Sequence, residues 1–315
     1  MKEIQVPRSL PVLILGLVAA ALVAGACGDD AGDAAPDNGD RLLVVTTIAP
    51  VEALTREVGD GYADVRGIVP AGADAHDFEP VASDLRAVEA ADLILRHGVG
   101  LDDWLDDTLG ASDAPVVTVT EGIELQPPAL QHDDDARDDE LDPHVWHDPE
   151  RAKQMVDNIA AALAEADPIN AEAYRANAAA YKDTLDRTRD EVQSIIDEIP
   201  FENRRMVTNH DAFGYFADAF GLTIVGAVIP GATTEAEPSA GETAELLETI
   251  EREGVRAIFA ESSVNSDLAR TLAEDAGITI VDDLYGDALG EPGSGAETVH
   301  GMLLANARKI AGALR

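Results

Sequence analysis

Apolar residues along this chain fall into short runs, divided by turn residues and by stretches whose apolar positions keep a helical period. Leu42-Leu43-Val44-Val45-Thr46-Thr47 is rich in β-branched residues and lacks polar alternation, which predicts a parallel strand buried on both faces. Pro50 opens a helix that ends near Gly59, and a second strand is expected over 63–69, stopped by Pro70. A helix over 81–90, a strand over 92–95, a helix over 101–109 and a strand over 116–120 follow. Strands alternating with helices of this length predict βαβ units around a parallel sheet.

Asp148-Pro149 reads as a helix start, with Asp148 as N-cap and Pro149 in the first position of a helix reaching residue 166. Asp167-Pro168 begins a longer one, to about 198, whose apolar positions Tyr174, Ala178, Tyr181, Leu185, Val192, Ile195 and Ile199 keep the helical period. At ~1.5 Å per residue it would span roughly 45 Å, a stiff connector. Beyond it the alternation resumes: strand 206–208, a helix from 212 that stops at Gly221, extended chain over 222–229, helix 239–253, strand 257–260, helix 266–276, strand 278–281 and a closing helix over 296–314. Val69-Pro70 through Glu79-Pro80 into a helix also parallels Ile229-Pro230 through Glu237-Pro238 into a helix, with the second loop two residues shorter. The expected fold class is α/β, with two lobes of related topology, each a mostly parallel sheet flanked by helices. The first lobe takes residues 41–166, the linking helix 167–199 and the second lobe 200–315.

Charge narrows the partners. With 22 Lys and Arg against 61 Asp and Glu, the formal charge is −39, and no basic stripe exists to neutralise the phosphates of a nucleic acid. Lys2 and Arg8 precede an uncharged run over 10–26 that closes on Ala24-Gly25-Ala26, the pattern of a secretory signal over 1–26. Cys27, the chain's one cysteine, follows at once, so no internal disulfide is possible. Its placement resembles the lipidated cysteine of a bacterial lipoprotein, although Ala24 stands where such motifs usually carry leucine. Residues 28–40 have no apolar pattern and read as a disordered tether. Lipid on Cys27 and this tether would hold a folded, monomeric body at the outer face of a membrane.

The candidate chemistry lies in loops. Asp142-Pro143-His144-Val145-Trp146-His147-Asp148-Pro149 is a segment stiffened by two prolines between the halves. His76, His144, His210 and Asp287 fall just beyond expected strands or in this junction, and ligands of open α/β sheets bind outside the carboxyl ends of strands. If the lobes face each other, one cleft can receive all four. Three imidazoles and one carboxylate suit Zn²⁺, with Mn²⁺ less favoured by imidazole. Periodicity alone leaves the plainer alternative open, that each histidine is a surface or capping residue. Neutral imidazoles are needed to bind, so affinity should weaken below about pH 6.

Four motifs together resemble the zinc and manganese solute-binding lipoproteins of bacterial ABC transporters, over residues 42–314: Pro70-Ala-Gly-Ala-Asp-Ala-His76-Asp-Phe-Glu79-Pro80, Asp142-Pro-His144-Val-Trp146-His-Asp148-Pro149, Asn209-His210-Asp211-Ala-Phe213-Gly214-Tyr215-Phe216, and Leu284-Tyr285-Gly286-Asp287-Ala-Leu-Gly. The resemblance implies metal ligands at His76, His144, His210 and Asp287, two lobes joined by a long helix, and delivery of the ion to a membrane permease. Manganese-preferring members often carry glutamate at the third position, so His210 implies zinc. Glu261 matches a family carboxylate that orients a histidine, with a salt-bridge role as the alternative. His147 stands where the family usually has an aliphatic residue and reads as a half-exposed loop residue, with a competing metal ligand as the alternative, while His97 and His300 read as structural or surface residues. The run 131–140, where zinc-specific members often have a histidine-rich loop, is acidic with one histidine and reads as solvated chain. No HExxH or GxSxG pattern supports a hydrolase, so the chain is expected not to be an enzyme. An adhesin with a structural metal is the other alternative.

Overall fold

The computed structural model describes residues 41–106, 109, 112–130 and 141–315. The expected signal segment, Cys27, the tether to residue 40 and the acidic run 131–140 lie outside these described residues.

Strands β1 (Leu42–Thr46), β2 (Ala63–Gly67), β3 (Leu93–Arg96) and β4 (Val116–Thr118) form a four-stranded parallel sheet in the order β2-β1-β3-β4. Strands β5 (Arg205–Thr208), β6 (Thr223–Ala227), β7 (Ala257–Glu261) and β8 (Thr279–Leu284) form a second, in the corresponding order β6-β5-β7-β8 and again parallel. The central strands are the apolar runs: Val44 and Val45 of β1, and all of β7, are buried. The shared order bears out two α/β lobes of related topology. It also places a topological switch point between β1 and β3 in one sheet and between β5 and β7 in the other, where crevices open for ligands.

The helices are α1 (Ala49–Gly59), α2 (Ala82–Ala90), α3 (Pro149–Ala166), α4 (Ala171–Ile196), α5 (Gly214–Phe220), α6 (Ala240–Glu253), α7 (Asp267–Ala276) and α8 (Val299–Leu314). Helix α3 starts as the sequence dictates, with the Asp148 carboxylate accepting from Glu150 N at 2.9 Å and Pro149 in the first turn. Helix α4 starts later than the Asp167-Pro168 signal suggests. The Asp167 carboxylate caps nothing there; it accepts from Asn170 Nδ2 at 2.7 Å and Tyr174 Oη at 2.8 Å. Within the described part of the helix expected over 101–109, Asp103–Leu105 form a 3-10 turn. The Asp102 carboxylate accepts from the backbone N–H of His97 (2.6 Å) and Gly98 (2.9 Å), which ties this segment to the end of β3.

Helix α4 packs against α1 and α3 of the first half and α5 and α8 of the second. Its buried face of Tyr174, Ala178, Tyr181, Leu185, Val192 and Ile196 enters one apolar cluster that continues from Val44, Leu54 and Leu95 through Trp146 to Phe213, Phe259 and Ile310. A close-packed core shared by both lobes resists rigid-body opening, because separation would expose apolar surface and leave voids. Among the described residues, no helix is long and apolar enough to cross a membrane.

Candidate metal centre

The four residues singled out by sequence come together. His210 leaves the end of β5, Asp287 lies in the loop after β8, His76 in the loop after β2, and His144 just ahead of a 3-10 turn at Val145–His147. One ligand-type atom from each lies within 4.8 Å of every other. Nε2 of His144 is 3.3 Å from Nε2 of His76 and 3.4 Å from Nε2 of His210. Asp287 Oδ1 is 3.1 Å from His144 Nε2, while its Oδ2 is 3.5 Å from His76 Nε2 and 3.6 Å from His210 Nε2. A tetrahedral ion with ligand bonds of about 2.0–2.1 Å requires edges of about 3.3–3.4 Å, and these five spacings lie around that length, the one from His144 to Asp287 being to Oδ1 and those from His76 and His210 to Oδ2. Both carboxylate oxygens face the cluster.

The outer nitrogens show which way the imidazoles point their lone pairs. His144 Nδ1 is 2.7 Å from Asp142 Oδ1, and His210 Nδ1 is 2.7 Å from Glu261 Oε1. A carboxylate accepts, so His144 Nδ1 carries the hydrogen and in the neutral ring its Nε2 presents a lone pair to the centre; His210 Nδ1 stands at ion-pair distance from Glu261, which favours the same tautomer. Electron-rich nitrogens and a carboxylate then converge in a buried space. A cation satisfies them, as does a proton on an imidazole. This arrangement of carboxylate behind histidine is the usual support of a metal-bound imidazole.

Electrostatics follow the same logic. Burial acts to lower the His144 pKa, but Asp287 and Asp142 outweigh it and hold the imidazole well above its ordinary value. His210 is likewise raised, burial being outweighed by Glu261 and Asp287. Among the described residues no such carboxylate stands behind His76: burial lowers it to about 4, against the pull of Asp287. The Asp287 carboxyl is held below the usual carboxylate range, since His76 and His144 overcome the opposing effect of burial.

Residues 44–313 match the family described as zinc-uptake complex component A, periplasmic. The chain belongs to this family. It is 34% identical over 288 residues to the manganese-binding lipoprotein MntA of Halalkalibacterium halodurans, covering 91% of this chain and 92% of that one. It is 30% identical over 256 residues to the zinc-binding protein AdcA of Streptococcus pyogenes, covering 76% of this chain and 49% of the relative. In fold it is similar to the periplasmic zinc-binding protein TroA from Treponema pallidum, with a TM-score of 0.80 and 30% identity, over 87% of this chain and 99% of that one.

Within this family framework the surrounding residues fall into place, and one, His147, sits differently from expectation. Glu261 is buried under His210, and its Oε2 accepts from Asp287 N at 3.3 Å, so one carboxylate steadies two members of the cluster. His147 is fully buried, not half-exposed: the 3-10 turn rotates it inward against Phe213, 4.9 Å between ring centroids. Its Nε2 donates to the Gly286 carbonyl at 3.2 Å, beside the Trp146 Nε1 donor at 3.0 Å. Two rings of the central segment thereby clamp the residue preceding Asp287. His97 is also buried, its Nε2 donating to the Pro143 carbonyl at 2.8 Å, and His300 meets the Tyr181 hydroxyl away from the cluster. Asp142 was visible only as part of a motif. Its partner Tyr215, whose hydroxyl donates to the Asp142 carbonyl at 3.0 Å, gives no signal in sequence because the pairing depends on a long-range approach.

Proposed function

We propose that this chain captures a single divalent transition-metal ion outside the cytoplasmic membrane, with Zn²⁺ preferred, and passes it to the membrane permease of an ABC transporter. The ligands are His76, His144, His210 and Asp287, with Asp142 and Glu261 orienting two of the imidazoles. The observation that carries this reading is the convergence of three imidazoles and a carboxylate in a buried space, at the edge lengths of a small tetrahedral ion. Three nitrogens and a carboxylate favour zinc over manganese. The likeness to MntA favours manganese instead, so the preference is to be measured. Four protein donors complete a tetrahedral shell and leave no position for a reacting water, which supports a carrier over a hydrolase. Lipid on Cys27 would keep the monomer beside its permease. Since one core runs through both lobes, release proceeds by movement of the ligand loops.

In a host lacking its own copy of this protein, zinc accumulation at limiting zinc should be restored by the wild-type chain and not by Asp287→Ala. Equal restoration by both would contradict the reading.

Protons compete for the same nitrogens. In the metal-free protein His144 and His210 hold a proton more tightly than a free imidazole, so binding must expel it. A raised pKa keeps the protonated form populated to higher pH, so zinc affinity falls as pH drops through that raised value. The decline should therefore begin above the free-imidazole value of about 6.5, earlier than the pH 6 expected of unperturbed histidines. Titrations at about pH 8, 7 and 6 read this directly, and an affinity flat across that interval would contradict it.

A further inference from the structure

His76 is the outermost of the four donors. Its side chain retains 8% exposure, while those of His144, His210 and Asp287 have none. It lies against a solvent-open cavity lined also by Val99, Leu101, Leu141, Pro143 and Thr233. Any ion leaving the cluster through this mouth must pass His76, so whatever fixes that loop controls retention.

The loop is fixed by one carboxylate with two partners. Asp74 Oδ1 accepts from the backbone N–H of His76 at 2.9 Å, which pins the turn that presents the imidazole. Asp74 Oδ2 accepts from the Thr234 hydroxyl at 2.6 Å, across the cleft from the other lobe. The loop bearing Thr234 is itself rooted beside the third donor: Ile229 N donates to the Asn209 carbonyl at 2.7 Å, and Asp211 N to the Gly231 carbonyl at 3.2 Å. A continuous path therefore runs from the residues flanking His210, through Thr234 and Asp74, to the backbone of His76. Both side chains are half-buried, where a hydroxyl-to-carboxylate bond is stronger than on open surface.

We propose that Thr234 is a positioning residue for the first metal ligand: its hydroxyl straps the His76 loop to the opposite lobe through Asp74 and sets how long the ion is held. Breaking this strap frees His76 while His144, His210 and Asp287 stay in place, so four donors become three and the ion gains an open side. The inference rests on the proposed metal site.

The test is stopped-flow release of zinc from the loaded protein into excess chelator, for wild type, Thr234→Val and Thr234→Ser, beside thermal unfolding of each metal-free form. Valine keeps the shape and removes the hydroxyl, while serine keeps the hydroxyl. A hydrogen bond to a charged group of this kind corresponds to roughly tenfold or more, so Thr234→Val should release zinc about tenfold faster. Thr234→Ser should stay near wild type, and the metal-free melting temperature of Thr234→Val should fall by only the few degrees that one hydrogen bond is worth. Equal rates for Thr234→Val and wild type, serine as fast as valine, or a metal-free form of Thr234→Val that no longer unfolds cooperatively would each overturn the strap. A wild type that retains no zinc would overturn the metal site itself.

Discussion

Replacing Asp287 with asparagine should lower zinc affinity by more than about 100-fold, beyond the 10- to 100-fold typical of losing a group that merely orients a ligand. The substitution is nearly isosteric and leaves three imidazoles in place, so the loss reports charge. Asp287 is the one anionic donor in the cluster, has no side-chain exposure, and lies 3.1–3.6 Å from all three Nε2 atoms. Without it no anion touches the ion, and the nearest carboxylates, Asp142 and Glu261, stand one imidazole further away in a region removed from water, which is an expensive place for a cation. The metal-free variant should also bind protons less tightly, because Asp287 is a principal cause of the raised His144 pKa. Calorimetric titration gives the affinity, and histidine NMR titration of the metal-free protein gives the second effect. An affinity within tenfold of wild type would remove Asp287 from the coordination shell.

The second large effect is expected at Gly286. A Cβ built there would stand 1.6 Å from Glu261 Oε2 and 3.0 Å from Glu261 Cγ. Neither side can yield easily. Glu261 is buried and engaged with His210 Nδ1, while the Gly286 carbonyl is clamped by Trp146 and His147. Tyr285 on its other flank is held at both backbone groups by the Asn306 amide, at 3.0 and 2.7 Å. Gly286→Ala should thus lower stability by roughly 1–3 kcal/mol or more, the range for overpacking a rigid interior. It should also weaken zinc binding by about 10- to 100-fold, since either Glu261 leaves His210 or the Asp287 loop shifts. Thermal unfolding and metal titration read the two losses separately. Adding Glu261→Ala to Gly286→Ala should recover part of the stability but not the affinity. A freely tolerated Gly286→Ala would show that the Glu261 support is not built as described.

How much of this was legible in sequence depended on the range of the interaction concerned. Strands β1 and β7 announce themselves because a buried parallel strand needs consecutive apolar residues, and α3 because Asp148-Pro149 is a local start signal. His76, His144, His210 and Asp287 could be nominated because loops past strand ends are where such folds bind ligands; only the fold shows the switch point between β5 and β7 bringing His210 and Glu261 side by side. The late start of α4 and the 3-10 turn at Asp103–Leu105 were illegible because Asp167 and Asp102 direct their carboxylates to partners that a capping rule does not anticipate. The burial of His147 was missed for a related reason. In a 3-10 turn three residues share one tight circuit, and which ring faces inward is decided by Phe213 and the Gly286 carbonyl, both remote in sequence. The Asp74–Thr234 bond joins residues 160 positions apart and has no local signature at all.

These contacts shape the account of transport. The shared core discourages separation of the lobes, while the ligand loops are held by individual hydrogen bonds that can open one at a time. On the proposed function, capture and release would be events at the mouth of the site, with the cluster of His144, His210 and Asp287 as its fixed floor.

The most direct test of the central claim is calorimetric titration of the metal-stripped protein with Zn²⁺ and with Mn²⁺, repeated on His210→Ala. One tight zinc site per chain is expected, with markedly weaker manganese and a strong loss of zinc affinity in the variant. Manganese binding as tightly as zinc would contradict the choice of ion, and the absence of a tight site for either would contradict the metal centre.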